Sequence, residues 1–388
     1  MLEGRNVVVG VCGSIAAVRC VELIHELRRM GASVRVVASP ASTGIINPQS
    51  LAFAAGSPVI DSLTGSVEHV DLCGSDGWGD VLLLAPATAN TIGKMAAAID
   101  DTPVTTCATT ALGASMPVVI APAMHEPMWD HPGVLRAIED LEEWGVAFVP
   151  PRIEEGKAKI AENDAIATAV ARAVTTQSLA GTSIVVTSGP TTEAIDSVRI
   201  LTNRSSGRMG RAVARACFVR GASVTLLHDG PDVHYATVER VKTGEEMRER
   251  AVKHTRTADA LVSAAAIGDF TVGQIDGKLD SSESHTITLE PAPKLLDIVR
   301  ENRPELPIVG FKAEVGANDE ALTAAARSQI DRMEAMFVVA NDASVMGSSE
   351  ARVLIVDRTD ATAVAGSKRV VADTIIERLA DALPETNG

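Results

Sequence analysis

Small and hydroxylated residues gather where a backbone could approach a ligand. Gly13-Ser14 follows one apolar run and opens a helical pattern, so its free amides would suit a phosphate. Ser39-Pro40-Ala41-Ser42-Thr43 and Pro86-Ala87-Thr88-Ala89-Asn90-Thr91 follow two further runs, and neither carries a bulky side chain that would block a flat ligand. The same residue types serve ordinary turns and helix caps, so these stretches alone leave both readings open. His69 lies between Glu68 and Asp71, and histidine is a residue type that suits proton transfer; a lone histidine also serves as a plain surface residue. The second half places Arg199, Arg204, Arg208, Lys278, Lys294 and Lys312 in loops, where they suit carboxylates and phosphates, or solvent. Asp269 follows the small run Ser263-Ala264-Ala265-Ala266 and could orient a metal ion or a base amino group.

Two apparent motifs fail on inspection. His125-Glu126-Pro127-Met128-Trp129-Asp130-His131 is not HExxH, because Trp129 stands where the second histidine belongs, and Pro127 is expected to disfavour a helix there. Gly10-Val11-Cys12-Gly13 and Gly207-Arg208-Met209-Gly210 each match only part of the dinucleotide glycine fingerprint, which weakens a nicotinamide dehydrogenase without excluding it.

The elements that must hold these residues repeat one pattern. Asn6 to Val11 reads as a strand, Ala16 to Met30 as a helix stopped by Gly31, and Ser33 to Ala38 as the next strand. Ser183 to Val186, the helix from Ser206 to about Arg220 and Ser223 to Leu227 form the same unit again. Further apolar strands are expected at Val81 to Ala85, Val118 to Ala121, Ala147 to Val149, Ala260 to Ser263, Ile308 to Phe311, Phe337 to Ala340 and Val353 to Val356. Continuous apolar strands alternating with helices imply parallel sheets covered on both faces. The fold class is therefore α/β, with two doubly wound Rossmann-like domains and mainly parallel sheets. The polar stretch from Thr175 to Thr182 marks the boundary, giving domains over 1–178 and 179–388.

Composition bounds the function. At roughly 150 residues per domain, 388 residues imply two to three domains. The net charge of −15 argues against nucleic acid as a partner, and so does an aromatic content of 3%, which leaves few stacking platforms. The stretches Val36 to Ile60 and Thr102 to His125 carry no Asp, Glu, Lys or Arg, but prolines and polar residues interrupt both, so no membrane span is expected. Five scattered cysteines without a CxxC pair fit reduced thiols in the cytoplasm, not disulfides or zinc.

Taken together, the motifs resemble a known family. Pro86-Ala87-Thr88-Ala89-Asn90-Thr91 resembles the PASANT motif of flavin-containing cysteine decarboxylases, and Pro122-Ala123-Met124-His125-Glu126-Pro127-Met128-Trp129 resembles their PxMNxxMW motif. Beyond residue 181, four segments resemble phosphopantothenate–cysteine ligases. They are Thr187-Ser188-Gly189-Pro190-Thr191, the run Arg199 to Gly210, Gly310-Phe311-Lys312-Ala313-Glu314 and Ala340-Asn341-Asp342. In this order, over nearly the whole chain, they are similar to bifunctional coenzyme A biosynthesis enzymes.

The resemblance implies two reactions. The C-terminal half would use CTP and Mg²⁺ to activate 4′-phosphopantothenate as an acyl-cytidylate, which cysteine then converts to an amide. It implies Arg199 and Asn203 at the acyl substrate, Lys278 at the nucleotide phosphates, and Ala265, Asp269, Phe311 and Pro293-Lys294-Leu295-Leu296 around CTP; the metal ligands stay unassigned. The N-terminal half would decarboxylate that product to 4′-phosphopantetheine on FMN, with His69 as catalytic base and Gly13, Ser14, Ser39, Asn90 and Thr91 at the flavin. Homo-oligomers are implied, with trimeric flavin domains and dimeric ligase domains, compatible with a dodecamer. The two uncharged stretches would then lie at the flavin pocket and the subunit interface.

The chain departs from the family pattern in three respects. His125 stands for the Asn that binds the substrate carboxylate. The flap cysteine is absent, and Lys159 falls about where it would lie, as a candidate proton donor. Gln329 and Met333 replace lysines usual before Ala340-Asn341-Asp342, a nucleotide-phosphate role that Arg327 or Arg332 could take over. The competing readings are a ligase with a degenerate flavin domain, a flavin or nicotinamide oxidoreductase, and a non-enzymatic flavin-binding subunit.

Overall fold

Strand β1 (Asn6–Val11) is buried along almost its whole length, because parallel neighbours cover both edges and helices cover both faces. The computed structural model describes residues 1–342 and 350–383. These divide into two compact units, Met1–Thr176 and Gln177–Gly388.

In the N-terminal unit, β1 is joined by β2 (Ser33–Ala38), β3 (Val81–Ala87), β4 (Val118–Pro122) and β5 (Ala147–Phe148), all parallel, in the order β2-β1-β3-β4-β5. That order reverses direction between β1 and β3, the switch point where loops diverge and leave a crevice at the carboxyl ends of the strands. Leu82, Leu84, Ile92, Val104 and Ile120 pack one face of the sheet. A separate three-stranded antiparallel sheet joins Met124–His125, Lys157–Lys159 and Arg152–Glu154.

Of the two uncharged stretches, Thr102 to His125 supplies the buried helix Pro103–Gly113 and strand β4 of this unit's own core. Val36 to Ile60 is mixed: Leu51 and Ala54 are buried, but Phe53 is 81% exposed.

In the C-terminal unit, β6 (Ser183–Thr187), β7 (Ser223–Leu227), β8 (Thr237–Glu239), β9 (Ala260–Ser263), β10 (Ile308–Glu314) and β11 (Phe337–Asp342) run parallel. Strands β12 (Glu350–Val356) and β13 (Ala361–Ser367) then add an antiparallel edge. The order β8-β7-β6-β9-β10-β11-β12-β13 puts this unit's switch point between β6 and β9. Phe337, Val339, Ile355 and Ile375 pack one face against helices Arg208–Val219 and Lys368–Ala382; Leu261, Ile308 and Val299 pack the other.

The structure corrects one expectation about local shape. Glu126–Trp129 is a short helix despite Pro127, because that proline occupies the first turn, where no N–H is needed.

Candidate functional site

The N-terminal crevice opens at the ends of β1, β2 and β3. A Cβ on Gly13 would lie 2.5 Å from Ala41 Cβ, so only glycine fits this close approach. Ser14 accepts from the Ala16 amide at 3.4 Å and starts the short helical turn after β1. Thr88 caps helix Ala89–Ala96 by accepting from the Thr91 amide at 3.3 Å, which leaves Asn90 exposed at the first turn. Cys12 faces this turn, and burial pushes its thiol up to about 11 against an opposing hydrogen bond from Thr91. The thiol is therefore neutral and inert as a nucleophile.

Among the described residues of this unit, three side-chain polar atoms are buried without a partner: Ser39 Oγ, His69 Nδ1 and, at the start of helix Asn163–Val174, Asn163 Oδ1. Buried polar atoms are normally hydrogen-bonded, so Ser39 Oγ and His69 Nδ1 fit a ligand with complementary polar groups. His69 lies in helix Glu68–Cys73, and the residue that starts that helix is under strain. Val67 has φ of 52°, a left-handed conformation that a β-branched side chain rarely adopts. The glycine-tight loop, the hydroxyl donors and the orphaned atoms together fit a flat phosphorylated cofactor such as FMN.

The small antiparallel sheet brings His125 and Lys159 onto one face. His125 pairs directly with Lys157, and Lys159 lies two residues further along the same strand. The Lys159 ammonium donates to Glu155 at 2.8 Å and Glu154 at 3.2 Å, and the two carboxylates, Glu155 foremost, raise its proton affinity.

The C-terminal crevice is a cavity of about 430 Å³. Its floor is the loop Asn203 to Gly210 and the ends of β9 and β10; Ala265, Asp269 and Phe311 also line it, and Arg352 and Lys368 close it from the antiparallel edge. A Cβ on Gly210 would lie 2.9 Å from Ser188 Cα, so glycine lets this helix start press against the loop after β6. Asn203 Nδ2 donates to Ala266 O at 3.1 Å and Ile267 O at 3.2 Å, which clamps the loop to the end of β9. Asp269 shares an ion pair with Lys294 at 2.5 Å.

Not all of the expected residues converge here. Arg199 is bound to the buried Asp196 carboxylate, which also accepts from the amides of Leu279 at 3.0 Å, Val198 at 2.7 Å and Arg199 at 2.6 Å. These bonds, that from Leu279 foremost, hold the Asp196 carboxyl far below the usual carboxylate range. They tie Arg199 and the loop carrying Lys278 together beside the cavity, and neither residue lines it. Pro293 and Lys294 lie outside it as well. Leu295 and Leu296 are buried in the hydrophobic core because they form the apolar face of helix Leu295–Asn302, so they are not pocket residues.

Arg327 and Arg332 do not reach the cavity either. Arg327 donates to Thr359 O at 3.4 Å, Arg332 pairs with Asp297 at 3.6 Å, and Met333 is core. Arg352 and Lys368 escaped the sequence reading because Arg352 sits on the antiparallel edge and Lys368 opens the helix that follows it, and no strand-helix repeat announces that edge.

A family model for the flavoprotein domain matches residues 1–175, and one for the DNA/pantothenate metabolism flavoprotein C-terminal domain matches residues 179–383. The coenzyme A biosynthesis bifunctional protein CoaBC of Thermococcus kodakarensis is 45% identical over 386 residues, 98% of this chain and 95% of that protein. The CoaBC protein of Methanocaldococcus jannaschii is 33% identical over 98% of this chain and 94% of its own length. That of Bacillus subtilis is 32% identical over 90% and 88%.

Proposed function

The chain belongs to the family of bifunctional coenzyme A biosynthesis proteins, and we propose that its two units perform the decarboxylase and ligase reactions on the residues described above. It is an enzyme of coenzyme A biosynthesis with both activities, acting on pantothenate-derived substrates. The finer assignments that follow are our reading.

In the C-terminal unit, a carboxylate oxygen of 4′-phosphopantothenate attacks the α-phosphorus of CTP and pyrophosphate leaves. The amine of cysteine then attacks the acyl carbon of the acyl-cytidylate and CMP leaves, giving the amide. Cations around the cavity stabilise charge that builds on the α-phosphate oxygens. Asn203 holds the loop at the reacting end, Arg199 receives the acyl substrate and Lys278 the nucleotide phosphates. Mg²⁺ usually binds through phosphates and one or two carboxylates, and Asp269 and Glu350 are carboxylates lining the cavity.

In the N-terminal unit, bound FMN supplies an electron acceptor and donor for the cysteine-derived end of the amide. His69, oriented by its short helix, takes a proton as general base. His125 donates a hydrogen bond to the departing carboxylate, and Lys159 returns a proton from the same face of the flap. Gly13, Ser14, Ser39, Asn90 and Thr91 hold the cofactor at the crevice.

The observation that carries this reading is the convergence of Asn203, the Gly207 loop, Ala265, Asp269 and Phe311 on one cavity. Exposed Phe53 and Ile15, at 81% and 77%, support a homo-oligomer through the flavin unit, and five buried free cysteines support a reducing cytoplasm. The test is to supply CTP, Mg²⁺, 4′-phosphopantothenate and cysteine and follow pyrophosphate and the amide. Pyrophosphate release that needs both substrates is expected; its absence would return the reading to a flavin protein without ligase chemistry.

A further inference from the structure

We propose that Lys368 is the cation that receives the nucleotide's phosphate chain in the C-terminal unit, filling the role that Gln329 and Met333 leave open. The proposal rests on the nucleotide-dependent ligase reading and names a residue for it.

Lys368 is the first residue of helix Lys368–Ala382, and it lines the same cavity as the Gly207 loop. Three features of its position oppose a positive charge. The start of a helix carries the positive end of its dipole. Burial foremost disfavours the ammonium, the Arg208 and Arg211 guanidiniums add like-charge repulsion, and these hold its proton affinity below the usual lysine value. No carboxylate pairs with it among the described residues.

Neighbouring cations differ in this respect. Lys312 pairs with Glu314 at 3.0 Å, and Arg352 forks onto Asp319 at 2.8 and 2.7 Å. Their charge is already balanced within the protein, whereas that of Lys368 is not. An uncompensated cation aimed into a cavity, beside two others and a glycine loop, is a site made for a polyanion.

The experiment uses the full-length enzyme and two readouts. Calorimetric titration with inorganic tripolyphosphate is expected to show binding weakened tenfold or more by Lys368→Gln and largely restored by Lys368→Arg. In the pyrophosphate-release assay, Lys368→Gln should raise KM for CTP by more than it lowers kcat. Ser367→Ala removes the hydroxyl that caps the same helix and keeps the cation; tripolyphosphate affinity within about twofold of the unmodified enzyme is expected. Unchanged tripolyphosphate binding in Lys368→Gln would overturn the proposal. So would an equal loss in Ser367→Ala, which would mark a structural role. Failure of the unmodified enzyme to release pyrophosphate from CTP would instead count against the ligase reading, while Lys368-dependent tripolyphosphate binding would still support the subsite.

Discussion

Single side chains set the chemistry in both units. His69 Nδ1 is buried without a partner, and we expect His69→Asn to slow carbon dioxide release by about 10²-fold or more, with ligation unchanged. Decarboxylation near the normal rate would remove His69 as the base. Lys159→Ala should slow the same half-reaction and spare ligation; since Glu155 and Glu154 raise its proton affinity, it carries its proton throughout the neutral range. Unchanged decarboxylation would take Lys159 out of the mechanism. Asp196 governs acid stability. Its carboxyl titrates below the unfolded value of about 3.9, so its contribution is complete above that pH and is lost as pH falls through the folded value. Urea midpoints measured between pH 5 and 2 should therefore fall less steeply in Asp196→Asn than in the unmodified chain. An unchanged acid limb would contradict this.

At the scale of elements, glycine contacts and edge strands decide what the cavity looks like. Gly210→Ala would force helix Arg208–Val219 away from Ser188, at a cost of roughly 1–3 kcal/mol, and should lower ligase activity and unfolding temperature while leaving decarboxylation intact. Retention of full ligase activity would show that the close approach is dispensable. The central strands were legible in the sequence because parallel strands covered on both faces are continuous apolar runs. Ala260–Ser263 and Val81–Ala87 are examples. The edge strand β13 was not, since Ala361–Ser367 is made of small, mostly exposed residues with neither alternation nor an apolar run. Arg352 and Lys368 were hidden with that edge. Short hairpins such as Thr192–Ala194 with Ile200–Thr202 gave no signal for the same reason: they lie partly in solvent and are held by their loop contacts. Leu295 and Leu296 were read as pocket residues because a linear motif does not say which face of its helix is buried.

At the scale of the whole molecule, a net charge of −15 opposes every anionic substrate, so binding depends on local cations such as Arg208 and Lys368. The uncharged stretches mostly build the N-terminal unit's own core, and Phe53 is the large apolar side chain they leave exposed. Phe53→Asp should lower the mass seen in sedimentation if subunits meet there; an unchanged mass would place the interface elsewhere. The central claim is that one chain runs both reactions in sequence, and product analysis tests it most directly. Given CTP, Mg²⁺, FMN, 4′-phosphopantothenate and cysteine, the unmodified chain should form 4′-phosphopantetheine, and His69→Asn should stop at the phosphopantothenoylcysteine amide with CMP released. Formation of neither product by the unmodified chain, or of decarboxylated product by His69→Asn at the normal rate, would contradict the account.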